Sequence, residues 1–252
     1  MNDVYKLLGE FDLPAWIAGL KTGDIAHPSA GWSVPDFWYP HPPSLIPILA
    51  DDSAPMYLGI LKHWFVKRNL SFVQFDLEEG SITEIAKTSE QFSVYLLIDA
   101  LGIGCSVEST RKLSHSIGFE QTERVIAHSL KYGDDEKEIW RYWGGADEGT
   151  VELANGVSKS EDSTSLVETD PRTNFKSLTT QPAPMPGVRA RSFEGHYLGN
   201  RLSDAWIELV SPGWSVRDAK VALGEMLRFS PAIAFAIQSK LWLSAANEKS
   251  FY

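Results

Sequence analysis

The chain has 252 residues, enough for one large domain or two small ones whose core buries about three quarters of the unfolded surface. Its 33 acidic residues against 23 basic ones give a net charge of −10, which argues against nucleic-acid binding, favours a basic partner, and equally serves solubility. One cysteine excludes an intramolecular disulfide framework, and with neither a leader-like N-terminus nor a stretch of membrane-span length the expectation is a soluble cytoplasmic protein that contacts no membrane.

In chain order, residues 2 to 21 read as one or two short helices. Val4, Leu7, Leu8 and Phe11 recur at helical spacing, and Pro14 suits the first turn of a second helix carrying Trp16, Ile17 and Leu20. From His27 to Pro47, six prolines and the rings of Trp32, Phe37, Trp38 and Tyr39 predict an extended, turn-rich segment lying on the protein. The densest apolar stretch follows, from Leu45 to Leu101. Leu45 to Leu49 and Met56 to Leu61 flank the acidic turn Asp51-Asp52-Ser53-Ala54-Pro55, which predicts a hairpin, and Ser71 to Leu77 adds a third strand that Glu79-Gly80-Ser81 closes as a turn. Thr88 then stands three residues before Gln91, a capping box that opens a largely buried helix ending at Gly102.

This order of elements, with Ile46-Pro47-Ile48, Asp51-Asp52-Ser53, Ile85-Ala86, Ser89, Phe92 and Leu96, resembles the SUKH superfamily of bacterial immunity proteins related to a fungal cell-wall regulator. The resemblance covers roughly a quarter of the chain and rests on apolar, structural residues, so it speaks for fold more than for function. The hairpin turn departs from the pattern, with Ala54-Pro55 where a glycine is usual. What the resemblance implies is an α+β fold, an antiparallel sheet with flanking helices, and a toxin effector as partner.

Beyond the sheet, residues 107 to 130 read as helical with a break near Gly118, and Phe119, Ile126 and Leu130 form a stripe ended by Gly133. Residues 144 to 187, polar and finishing in a proline-rich run, read as a long connection or linker. A helical face at Leu202, Trp206, Leu209 and Val210 stops at Ser211-Pro212-Gly213; a second helix spans about Val216 to Phe229; a third starts at Ser230-Pro231. The predicted organisation is a SUKH-like domain over residues 1–143, a linker over 144–187, and a helical extension over 188–252 docked on the first. The octets Ser29 to Asp36 and Ser211 to Asp218 agree at six of eight positions, each with Ser-x-x-Asp after a tryptophan. Both read as helix entries, by convergent capping or by duplication.

Catalytic signatures are missing: no nucleophile elbow, phosphate loop, paired Cys-x-x-Cys or full dinucleotide fingerprint occurs. Cys105 with His115 and His128 could form a nucleophile and base, or the thiol could be a small buried hydrophobe. The six histidines show no metal-ligand spacing, and neither a metal nor a cofactor is expected. Asp51 and Asp52 could serve as an acid/base pair or accept the backbone hydrogen bonds of their own turn. His63-Trp64-Phe65 beside Lys67-Arg68 reads either as an exposed contact patch or as a seal on the end of the sheet.

The expectation is therefore a non-enzymatic protein-binding module. Asp51, Asp52, His63, Trp64 and the acidic cluster Asp134-Asp135-Glu136 are its candidate contact residues, and a basic toxin domain is the partner the resemblance implies. A regulatory scaffold like the fungal members, and a hydrolase using an unrecognised carboxylate or cysteine site, are the alternatives.

Overall fold

The three apolar runs of residues 45–77 pair as the sequence predicts, within a larger sheet. A computed structural model describes residues 3–35, 38–66, 69–77, 81–132, 188–211, 213–230 and 232–246. Its strands β1 (Trp32–Ser33), β2 (Leu45–Asp51), β3 (Met56–Leu61), β4 (Ser71–Asp76) and β5 (Ser81–Ala86) lie in that order, each antiparallel to the next. Short connections explain the meander, because a few residues can return the chain only to an antiparallel neighbour. The flanking helices are α1 (Asp3–Gly9), α2 (Ala15–Thr22), α3 (Ser89–Gly102), α4 (Val107–Ser116), α5 (Thr122–Tyr132), α6 (Val188–Leu198), α7 (Leu202–Val210), α8 (Val216–Met226) and α9 (Ile233–Ala245). The protein is thus of the α+β class, an antiparallel sheet with helices around it.

Both faces of the central strands are buried, which is why their sequences read as nearly continuous apolar runs. Ile46, Leu58, Ile60 and Phe72 face one core with α1, α2 and α3. Leu45, Tyr57, Leu61, Val73 and Phe75 occupy the other face. The register slips between Pro47 and Leu49, and there Ile48 and Leu49 both join the first core, as a bulge requires. Opposite Pro47 stands Gly59, where a Cβ would lie 2.7 Å from the carbonyl oxygen of Ile46. Strands β2 and β3 approach too closely there for any side chain.

Helix α3 starts as the capping box foretells. Thr88 Oγ1 accepts from the Gln91 amide at 3.2 Å, and Gln91 Oε1 accepts from the Thr88 amide at 3.2 Å. Its Phe92 stacks on Phe72 with ring centroids 4.5 Å apart.

Helix α9 is the wedge between the sheet and the C-terminal helices. It is apolar on two sides because it faces two cores, with Ala236, Lys240 and Ser244 left on an exposed stripe: Ala234 and Ile237 join the sheet-side core, while Phe235 and Trp242 join the core of α6 to α8. The loop after β3 enters the same seam through Trp64 and Phe65, whose rings lie 5.4 Å from Phe235. Polar groups close it. Gln238 accepts from Trp64 Nε1 at 2.9 Å and donates to the Pro43 carbonyl at 2.7 Å, while Trp242 Nε1 donates to the His41 carbonyl at 3.1 Å.

Several expectations are corrected. Residues 81–86 form β5, extending the sheet past the expected turn, and α6 was not among the predicted helices. Pro14 caps α2 from outside with ψ 144° instead of entering its first turn, and α9 begins at Ile233, past Ser230-Pro231. Leu130 is 72% exposed and so leaves the α5 stripe to Val125 and Ile126. Of the two similar octets only the second opens a helix, where Ser215 Oγ accepts from the Asp218 amide at 3.1 Å. In the first, Ser33 lies in β1 and donates to Asp52 Oδ1 at 2.5 Å. The expected linker over residues 144–187 lies outside the described residues.

Replacing Gln238 by Leu keeps the volume but strips the partners from the Trp64 indole and the Pro43 carbonyl. Chemical denaturation should show a loss of roughly 2–4 kcal/mol; a change under about 0.5 kcal/mol would mean that the seam does not depend on this amide.

Candidate functional site

The structure separates the residues singled out by sequence. Asp51 ends β2, and its Oδ1 accepts from the Ser53 amide and hydroxyl at 2.6 Å each and from the Ala54 amide at 3.0 Å. Asp52 holds Ser33 across the sheet edge. Those bonds make the pair the organiser of its own turn. His63 is only 2% exposed, and its Nδ1 accepts from Trp206 Nε1 at 3.2 Å. Trp64 is held by Gln238 as described, with Lys62 Nζ 5.4 Å over its ring. Both rings therefore serve the seam. Asp134, Asp135 and Glu136 lie outside the described residues. Burial, with the Asp99 carboxylate adding to it, pushes the Cys105 thiol up, away from the thiolate a nucleophile needs. Among the described residues no group of histidine, cysteine and carboxylate side chains could hold a metal, and no helix is long and apolar enough to cross a membrane.

The arrangement best suited to a partner lies on the C-terminal helices. On α6, Ala190, Phe193, Glu194, Tyr197 and Leu198 share one face at spacings of three and four; on α8, so do Asp218, Val221, Ala222 and Glu225. The two faces enclose a groove of about 430 Å³, which Trp214 also lines. Phe193 anchors it, stacked at 5.6 Å on Tyr197 and edge-on at 6.0 Å to Trp214. Leu198 and Val221 are 74% and 67% exposed, apolar surface beside carboxylates. Glu225 accepts from the Tyr197 hydroxyl at 2.8 Å and from Arg228 at 2.6 Å, and that carboxylate also raises the phenol above its usual range. Glu194 and Asp218 have no ion pair among the described residues. Sequence reading missed this site because its α6 half directly follows the polar stretch read as linker. The signal was present in the spacing of Phe193, Glu194 and Tyr197.

No family model, curated protein or solved structure matches the chain.

Two histidines tie the fold to pH. His27 accepts from the Ser29 amide at Nδ1 (3.3 Å), so its proton sits on Nε2, 3.4 Å from the Leu96 carbonyl. His41 donates from Nδ1 to the Tyr39 carbonyl at 2.8 Å. Both rings are buried and neutral, and burial pulls each down to about 4. The unfolded chain would take up these protons near 6.5, so stability is complete above that pH and falls as acid approaches 4. The hydrogen bonds to the Leu96 and Tyr39 carbonyls offset part of the burial penalty at His27 and His41 respectively. The unfolding free energy from urea titrations should drop steadily from pH 6.5 to pH 4, by about 3 kcal/mol for His41 at most. An unfolding free energy independent of pH over that window would contradict the neutral assignments.

Proposed function

We propose that this chain is a protein-binding module whose α6–α8 groove captures a basic, amphipathic segment of a partner. The groove carries the reading: it sets the carboxylates of Glu194, Asp218 and Glu225 around an aromatic floor with an apolar rim. Cationic side chains meet the carboxylates while apolar ones cover Leu198 and Val221, and the net charge of −10 steers such a segment inward. The resemblance to the SUKH immunity proteins supports a toxin effector as the partner class. Neutralising such an effector needs only complementarity that blocks it.

A labelled helical peptide of about 14 residues, with lysines at i, i+4 spacing on one side and leucines on the other, tests this. By fluorescence anisotropy it should bind saturably and weaken as salt rises, while the same peptide with glutamate for lysine should not bind. Glu194→Gln with Asp218→Asn should lower affinity about tenfold and flatten the salt dependence, with thermal stability unchanged. Equal affinity for the two peptides, or none lost in the double variant, would reject the groove as the site.

A further inference from the structure

A second concavity, a cavity of about 210 Å³, is walled by residues of α1, α2, β2, β3 and α9 together with Pro35, Trp38 and His41. We propose that it binds a small carboxylate with an apolar tail, with Lys21 as the counter-charge. Its volume is below the roughly 300–1,000 Å³ of sites for drug-sized ligands, so the occupant is small.

The wall is mostly hydrocarbon and ring, with Leu7, Ile46, Leu241 and Trp242 among it. Into it the last turn of α2 sends Lys21, whose ammonium donates one hydrogen bond, 2.5 Å to the Pro47 carbonyl at the bulge of β2. An ammonium has three donors, and among the described residues no carboxylate pairs with this one. Trp38, in the same wall, has a buried indole N–H without an acceptor among the described residues. Apart from the bare Nε2 of His41, the remaining side-chain polar groups have partners, the Tyr57 hydroxyl among them through the Tyr39 amide. Gln238 is spent on Trp64 and Pro43, Trp242 on the His41 carbonyl, and His41 Nδ1 on Tyr39.

Two ammonium donors and the indole N–H thus outnumber the one bare ring acceptor, His41 Nε2, and among the described residues the cation has no counter-ion. A half-buried ammonium is stabilised by pairing, and a buried donor by an acceptor. A carboxylate supplies both the charge and the acceptors, while its tail meets the apolar wall; a neutral ligand would leave the cation uncompensated. Desolvation by burial pulls Lys21 down to about 8. At neutral pH it is still mainly the cation such a ligand requires. Satisfying the Pro47 carbonyl alone would need a donor but no charge.

Calorimetric titration of the full chain at pH 7 with butyrate, hexanoate, octanoate and phenylacetate, each beside its amide, tests the proposal. At least one carboxylate should bind saturably to a single site, about tenfold or more tighter than its amide. Lys21→Met, which keeps the stem, should weaken it by a further factor of about ten, and Trp38→Phe by about three. In the unaltered protein, affinity should fall as pH rises past about 8, where the ammonium is lost. That pH profile and the amide comparison hold even where a variant fails to fold. No saturable binding at millimolar concentration, equal binding of acid and amide, or affinity indifferent to Lys21→Met would overturn it.

Discussion

One side-chain amide connects the two halves of this structure. Helix α9 is buried on both sides, against the sheet through Ile237 and against the C-terminal helices through Phe235, and apolar burial alone would not fix its rotation or register. Gln238 does so. Its oxygen takes the Trp64 indole and its nitrogen the Pro43 carbonyl, so a single group satisfies two others that the packing of α9 removes from water. Low local dielectric strengthens such bonds and makes any alternative docking, which would leave them unmade, costly. Both partners come from segments flanking the β2–β3 hairpin, and the geometry of the hairpin is thereby transmitted to the helices.

The two concave features differ in sign. The α6–α8 groove has carboxylates in excess, whereas the cavity beside α2 has a cation in excess. They suit ligands of opposite charge and very different size. A chain with a net charge of −10 attracts cations from a distance, which favours the groove for rapid capture. It repels anions until they are close, so occupancy of the cavity would depend on the short-range pairing with Lys21.

Much of the sheet was legible because its residues obey local rules. Leu45 to Leu49 and Met56 to Leu61 are apolar runs separated by an Asp-rich turn, and Thr88 with Gln91 is a cap readable from two positions. What escaped depended on tertiary context. Residues 81–86 mix Ser, Thr and Glu with two isoleucines, and they become β5 only because β4 offers an unpaired edge. Ser33 and Ser215 sit in nearly the same octet, yet one lies in a strand and the other caps a helix, because Asp52 claims the first. His63 and Trp64 looked equally like a patch or a seal; Trp206 and Gln238, more than 140 residues away, hold them in the seam. The site residues were harder still. Lys21 reads as an ordinary basic residue at a helix end, and nothing local reveals that its ammonium enters an apolar cavity.

The central claim is that α9 makes the sheet and the C-terminal helices one cooperative unit. Native-state hydrogen exchange measures this directly, comparing amides of residues 237–245 in α9 with those of β2 and β3. The account predicts that the slowest amides of both exchange with the same opening free energy and the same denaturant dependence. Opening of α9 at a free energy lower by more than about 2 kcal/mol, with the sheet still protected, would contradict it.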